Sequence, residues 1–140
     1  MTKKYEIILK YIKDLSVEVP SAETFVVSRE YITKYSLGIN INTNPIKDGM
    51  IEVITMLNYK DPSENKKKSH FEILYSTVIK ITDKSLKKED LEKVILIDVQ
   101  NDIYPELEKI FLGVIRDSGF PDLKLEKKID FEQLFQQKLN

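Results

Sequence analysis

The chain has 140 residues, 41% of them hydrophobic, and its 22 basic side chains nearly cancel 23 acidic ones to a formal charge of -1. That is enough apolar content for the core of one domain spanning 1–140, with no basic field to attract nucleic acid or an anionic membrane. The absence of cysteine excludes disulfides and thiol chemistry, and the opening residues carry no apolar run suited to a signal peptide or a span, so a cytoplasmic protein without membrane insertion is expected.

From Tyr5 to Val19 the odd positions Tyr5, Ile7, Leu9, Tyr11, Leu15, Val17 and Val19 are apolar, while the even ones include Glu6, Lys10, Asp14, Ser16 and Glu18. This period of two predicts a strand, ended by Pro20. Ser21 to about Lys34 reads as a connection, oddly apolar at Phe25, Val26, Val27 and Tyr31. Three more strands are predicted at Tyr35 to Thr43, Met50 to Lys60 and His70 to Ile81, with turns at Asn44–Gly49 and Asp61–Lys68; four strands in succession imply an antiparallel meander. The lysine run Lys66 to Lys68 reads as a solvated turn.

The period then changes. Ser85 to Asn101 mixes a capped-helix start with the β-branched run Val94 to Ile97 and is assigned as helix. From Asp102 to Ser118, Leu107, Ile110, Phe111, Val114 and Ile115 make one helical stripe, Pro105 suits a first turn, and Gly119 suits the left-handed residue past the end. A last helix opens at Asp130 as N-cap, with Gln133 three residues on and an apolar face of Phe131, Leu134, Phe135 and Leu139. The expected class is α+β: a four-stranded antiparallel meander sheet with two to three helices packed on it.

The chemistry of an enzyme is missing. One histidine and no cysteine make no metal ligand set, the four glycines form no phosphate loop, and no serine sits in a nucleophile elbow. No catalytic residue, metal or other cofactor is expected. Binding features remain. Asp14 and Glu18, four apart on a strand, share a side at about 13 Å separation. These acids are equally readable as the ordinary polar side of a strand. Apolar residues occupy both faces of several strands, as with Ile54 and Met56 against Val53 and Leu57, and a sheet covered on one side leaves the other needing a partner. A dimer or tetramer of identical chains is expected. Phe25, Val27 and Tyr31 of the connection, Leu37, Ile39 and Ile41 of the second strand, and Phe131 and Phe135 of the last helix are candidates to line an open groove for unfolded chains; closing a conventional core is the alternative for each.

Two stretches carry a further signal: Tyr11-Ile-Lys-Asp-Leu-Ser-Val-Glu-Val-Pro-Ser-Ala22, and Gly119-Phe-Pro-Asp-Leu-Lys-Leu125 running on to Ile129-Asp-Phe-Glu-Gln-Leu-Phe135. Together they resemble the SecB family of bacterial export chaperones, whose first strand has a similar tyrosine, lysine-aspartate, serine and glutamate-x-proline series, and whose phenylalanine-proline-x-leucine turn leads into a short last helix. The resemblance implies ATP-independent binding of unfolded precursor polypeptides, a dimer of dimers, and an acidic surface at Asp14, Glu18 and Glu72 that docks the basic tail of the SecA motor. Two departures bear on the motor: His70 stands where a leucine is usual, and the chain ends directly after the last helix where family members commonly continue into a tail. A SecB-like chaperone of a toxin-antitoxin system, or an oligomeric interaction module without a motor, are the other functions such a chain could serve.

Overall fold

A computed structural model of the protein describes residues 4–62, 69–120, 123–125 and 129–139, with side chains as far as Gln137. The lysine-run turn and the Pro121–Asp122 part of the second motif lie outside the described residues. Four strands are present, β1 (Tyr5–Glu18), β2 (Ser36–Pro45), β3 (Met50–Lys60) and β4 (His70–Ile81), with helices α1 (Ala22–Tyr31), α2 (Lys88–Lys93), α3 (Val99–Asp117) and α4 (Phe131–Leu139).

The strands form the expected antiparallel sheet, and the meander holds for β2, β3 and β4. β1 pairs with β4, giving the order β1-β4-β3-β2. The reason lies in the connections: hairpin-length turns join β2 to β3 to β4, whereas β1 reaches β2 through α1 and the short 3-10 turn Ile32–Lys34, enough chain to cross three strand spacings of about 4.8 Å each. The β2–β3 turn closes through Asp48 at φ 66 and Gly49 at φ 75, the left-handed conformations that aspartate tolerates and glycine favours.

The connection Ser21–Lys34 is helical, not irregular. Ser21 Oγ accepts from the Thr24 amide at 3.1 Å as an N-cap. The pattern hid this helix because α1 buries its polar residues: Thr24 and Ser28 face inward, and Ser69 Oγ donates to Ser28 Oγ at 2.8 Å. Val26, Val27 and Tyr31 face out. The 3-10 turn is anchored by Tyr59, whose hydroxyl donates to the Ile32 carbonyl at 2.7 Å.

α2 and α3 run on through a π turn, Val94–Asp98, so the two predicted helical segments are one. At the junction the Asp98 carbonyl also accepts from the Tyr5 hydroxyl at 3.2 Å, and the same hydroxyl bonds the Asp102 carboxylate. Burial foremost, and then these acids, push the Tyr5 phenol above its ordinary value. Pro105 therefore lies inside α3 instead of in its first turn, and the Asn101 carbonyl it cannot bond belongs to an exposed residue that water reaches. At the other end Gly119 sits at φ 106. Its amide bonds Arg116 and the Phe120 amide bonds Ile115, the paired closure that favours glycine at this position. A Cβ on Gly119 would come within 3.1 Å of the Phe25 ring.

The core lies between one face of the sheet and α3, α4 and the π turn. Val53, Leu57, Phe71, Ile73 and Ile79 meet Ile103, Leu107, Phe111, Ile115 and Val99 there. The stripe expected for the main helix holds at Leu107, Phe111 and Ile115, whereas Ile110 and Val114 are only half-buried. Gln100, fully buried, exchanges hydrogen bonds of 3.0 and 3.2 Å with the Thr55 hydroxyl, whereas the hydroxyl of Thr77, buried on the same side of the sheet, has no hydrogen-bond partner among the described residues.

Candidate functional site

Two surfaces stand on opposite sides of the sheet. The first is a groove along β2 on the helix side. β2 is an edge strand, bonded only to β3 among the described residues. Its register sends Leu37, Ile39 and Ile41 to the helix side, opposite Tyr59, Leu57 and Thr55. All three remain half-buried, because α4 stands off from them. The space left is a run of three hollows that share walls. The middle one, about 200 Å³, is lined by Ile39, Ile41, Leu96, Phe131, Leu134 and Phe135. Toward the start of β2 a hollow of about 250 Å³ adds Leu37, Ile129 and Gln133. Toward its end one of about 430 Å³ adds Asn42, Thr43 and Glu92. Asp130 fixes α4 beside this groove, its Oδ1 accepting from the Gln133 amide at 3.1 Å. Phe131 and Phe135 are themselves buried, with Phe131 edge-on to Tyr104 at 5.5 Å between ring centres, so they form the floor.

The structure thus brings together five of the eight residues named from sequence: Leu37, Ile39, Ile41, Phe131 and Phe135. The other three lie elsewhere. Phe25 packs on Phe120 at 4.9 Å between ring centres, and Val27 and Tyr31 sit on the outer side of α1, Tyr31 under the Lys34 ammonium. Sequence reasoning did not put Leu96 or Ile129 in the groove, and it placed Leu134 on the apolar face of the last helix without assigning it to the groove. Leu96 enters the wall because the π turn rotates it there, which no hydrophobic period reveals.

The second surface is the sheet face turned away from the helices. β1 does not alternate simply: register shifts fall between Ile7 and Leu9 and between Ile12 and Asp14. Each bulge swaps faces. Tyr5 and Ile7 point to the helix side; Leu9 and Tyr11, which strict alternation would put on the same side, point to the open side; beyond Lys13 the first phase returns, with Asp14, Ser16 and Glu18 outward. Lys10, turned to the helix side, meets Glu106 of α3 at 2.6 Å. Two changes of side cancel, so Asp14 and Glu18 keep the common face read from sequence. Glu72 joins them, directly opposite Ser16, while Asp14 faces Leu74 and Glu18 faces His70. His70 Nε2 lies 3.4 Å from Glu72 Oε2. The three acids therefore border one corner of the open face, beside half-buried Leu74, Met56 and Ile54.

Sequence reasoning also passed over Glu52, near the middle of this face. It is 7% exposed and accepts hydrogen bonds from Ser76 Oγ at 2.7 Å, Tyr11 Oη at 3.1 Å and Lys13 Nζ at 3.2 Å. The Ser76 bond, followed by the Lys13 and Tyr11 contacts, holds its carboxyl below the ordinary value against the opposing effect of burial.

Among the described residues no cluster of histidine, aspartate and glutamate is arranged to hold a metal ion, and no helix is long and apolar enough to cross a membrane. The geometry offers binding surfaces: an apolar groove beside unpaired backbone, and an acidic corner.

Comparison with known proteins gives the same picture. The family profile described as SecB, preprotein translocase subunit SecB, matches residues 1–140. A relative in Pelagibacter ubique (strain HTCC1062) that carries the SecB name is 49% identical over 140 residues, covering all of both chains. The protein-export protein SecB of Bartonella quintana (strain Toulouse) is 30% identical over 135 residues, which are 96% of this chain and 84% of that one. Among solved structures, the Mycobacterium tuberculosis SecB-like chaperone Rv1957, in complex with a ChAD peptide from the Rv1956 HigA1 antitoxin, superposes with a TM-score of 0.67 at 11% identity, covering 90% of this chain and 88% of that one; that likeness concerns the fold. With the whole chain matched and relatives of this identity, the protein belongs to the SecB family, the chaperones of protein export.

Proposed function

We propose that this export chaperone captures unfolded precursors in the groove along β2, works in the cytoplasm as a homo-oligomer, and passes its clients to a SecA-type motor docked at Asp14, Glu18 and Glu72. The observation that carries the client reading is the conjunction at β2. A half-buried row of Leu37, Ile39 and Ile41 lies beside a strand edge that bonds only one neighbour. An unfolded chain presents the matching pair of groups, apolar side chains and unpaired amides, and can add to such an edge in extended form. A folded protein has buried both, so selection for slow folders needs no nucleotide.

Self-association is assigned to β1. It is the other edge of the sheet, 14 residues long, and Ile8, Leu9, Tyr11, Ile12, Leu15 and Val17 are each 39 to 47% exposed along it. A long apolar edge of this kind is unprotected against pairing and is best covered by a second copy. Docking of a motor is supported by charge. The three acids line one corner of the face, outnumbering the one lysine in their rows, Lys60 opposite His70, a complement to a lysine-rich segment. Titration of a labelled lysine-rich peptide and of a labelled unfolded polypeptide, each alone and together, tests both assignments; failure of the unfolded chain to bind at micromolar protein overturns the client reading.

A further inference from the structure

β4 begins at His70, the one histidine of the chain, and charged groups surround its ring within the sheet. It stands in a row across three strands, with Glu18 opposite on β1 and Lys60 opposite on β3; Asp61 follows Lys60 in the chain. Two residues along β4, on the same face, is Glu72, whose Oε2 lies 3.4 Å from His70 Nε2. α1 approaches this end of β4 through the Ser28–Ser69 hydrogen bond, and its charged residues Glu23, Arg29 and Glu30 are all exposed to solvent that screens them. The ring thus has two acids and one lysine as its immediate charged neighbours in the sheet.

The contact with Glu72 is incomplete. Nε2 is shut off from water and makes no hydrogen bond among the described residues, and 3.4 Å exceeds the roughly 2.7–3.2 Å of a formed N–H···O bond. The two side chains are 35% and 32% exposed, so a small rotation of either is free to close the gap. A proton supplies the reason to do so. A neutral imidazole carries one N–H for its two nitrogens, whereas the imidazolium carries two and a charge. Protonation therefore sets a charged donor against a charged acceptor, the combination that gives the shorter and stronger class of hydrogen bond. Histidine is also the side chain whose charge ordinarily changes between about pH 5 and 8.

We infer that His70, when protonated, closes onto Glu72 and withdraws that acid from the docking corner, so that capture of a lysine-rich partner depends on pH. Asp14, Glu18 and Glu72 set against Lys60 leave two net negative charges; the imidazolium removes one of them and occupies the carboxylate that a partner's lysine would take. Proton and lysine compete for Glu72, and each weakens the other's hold by the same factor. The His70–Glu72 link stands on the sheet geometry; its effect on a motor rests on the docking reading above.

Carbon-13 spectra of the protein read the link directly, since a single histidine makes the imidazole signal unambiguous. In the wild type the Glu72 carboxyl signal should follow the imidazole titration between about pH 8 and 5. His70→Leu should remove that step, while any response of the acid to its own proton persists. Binding reads the consequence. At low salt a labelled lysine-rich peptide should bind the wild type at least about threefold more weakly at about pH 5.5 than at about pH 7.5. His70→Leu should bind equally at both, and His70→Lys should be weak at both. His70→Gln, polar and neutral, carries the test if the leucine variant does not fold. At about pH 6.5, adding the peptide should move the imidazole signal toward its neutral position.

A Glu72 signal that ignores the imidazole titration overturns the inference, and so does an equal pH dependence of peptide binding in the wild type and His70→Leu. Coupled signals together with no peptide binding by the wild type at either pH would refute the docking reading and leave the His70–Glu72 link standing. Peptide binding of equal strength at both pH values, with uncoupled signals, would do the reverse.

Discussion

Ile39→Asp is the substitution that most directly separates a client groove from an imperfectly closed core. Ile39 lines two of the three hollows and is half-buried at the free edge, so a carboxylate there can keep water. Full burial of an isoleucine is worth about 1.5–3 kcal/mol, and half of that, about 1 kcal/mol, is the expected loss of stability. A client side chain seated on Ile39 loses its apolar neighbour and must also displace water from the new carboxylate, together about 2 kcal/mol, or roughly 30-fold in affinity at about 1.4 kcal/mol per decade. The assay is anisotropy of a labelled, permanently unfolded polypeptide, paired with the wild type's ability to slow refolding of an unrelated chain without ATP. Val26→Asp is the control, since Val26 is 67% exposed on α1 and lines none of the hollows; it should leave affinity within twofold. Unchanged affinity for Ile39→Asp at a nearly unchanged melting temperature, or an equal loss for Val26→Asp, would refute the assignment of the groove.

Four further outcomes are expected. Asp14→Lys, Glu18→Lys and Glu72→Lys together should abolish salt-dependent binding of a lysine-rich peptide while each changes stability by no more than about 0.5 kcal/mol, as checked by titration at two ionic strengths and thermal melting. Sedimentation at micromolar concentration should show a dimer or tetramer, and Ile12→Lys with Leu15→Lys should shift it toward monomer. Because the Glu52 carboxyl is held below its ordinary value of 4.5, its contribution is complete above that value and is lost as pH falls through the lower folded value; acid titration of Glu52→Gln should lack this part of the stability loss seen in the wild type. Gly119→Ala should destabilise by about 1–3 kcal/mol, since φ 106 strains any side chain and the added carbon meets Phe25, measured by urea denaturation.

Much of this was legible in the sequence for physical reasons that can be named. β2, β3 and β4 have inward residues at strict alternate positions, and their observed bounds lie within two residues of those expected. The groove residues on β2 and α4 followed from the same periods. α1 escaped because helix prediction from periodicity assumes an apolar inner face, and here Thr24 and Ser28 are buried while Val26 and Val27 are not; the Ser21 cap was the available signal. The faces of Leu9 and Tyr11 were misassigned because both bulged residues, Ile8 and Lys13, look like ordinary members of an alternating strand. Glu52 gave no signal at all: a carboxylate at a polar position of a strand looks the same whether it meets solvent or gathers three donors.

The placement of the two surfaces has a kinetic consequence. The groove belongs to the helix side of β2, and Asp14, Glu18 and Glu72 belong to the far side of β1 and β4, so under the assignments proposed above a client and a motor would not compete for the same atoms. On that proposal a ternary complex could form in either order, and arrival of the motor would not by itself evict the client. Release then has to come from the motor pulling on the free ends of the client, or from strain carried along β4 and β3 to β2. In the first case the rate of client loss rises only with motor activity; in the second it rises with motor occupancy alone.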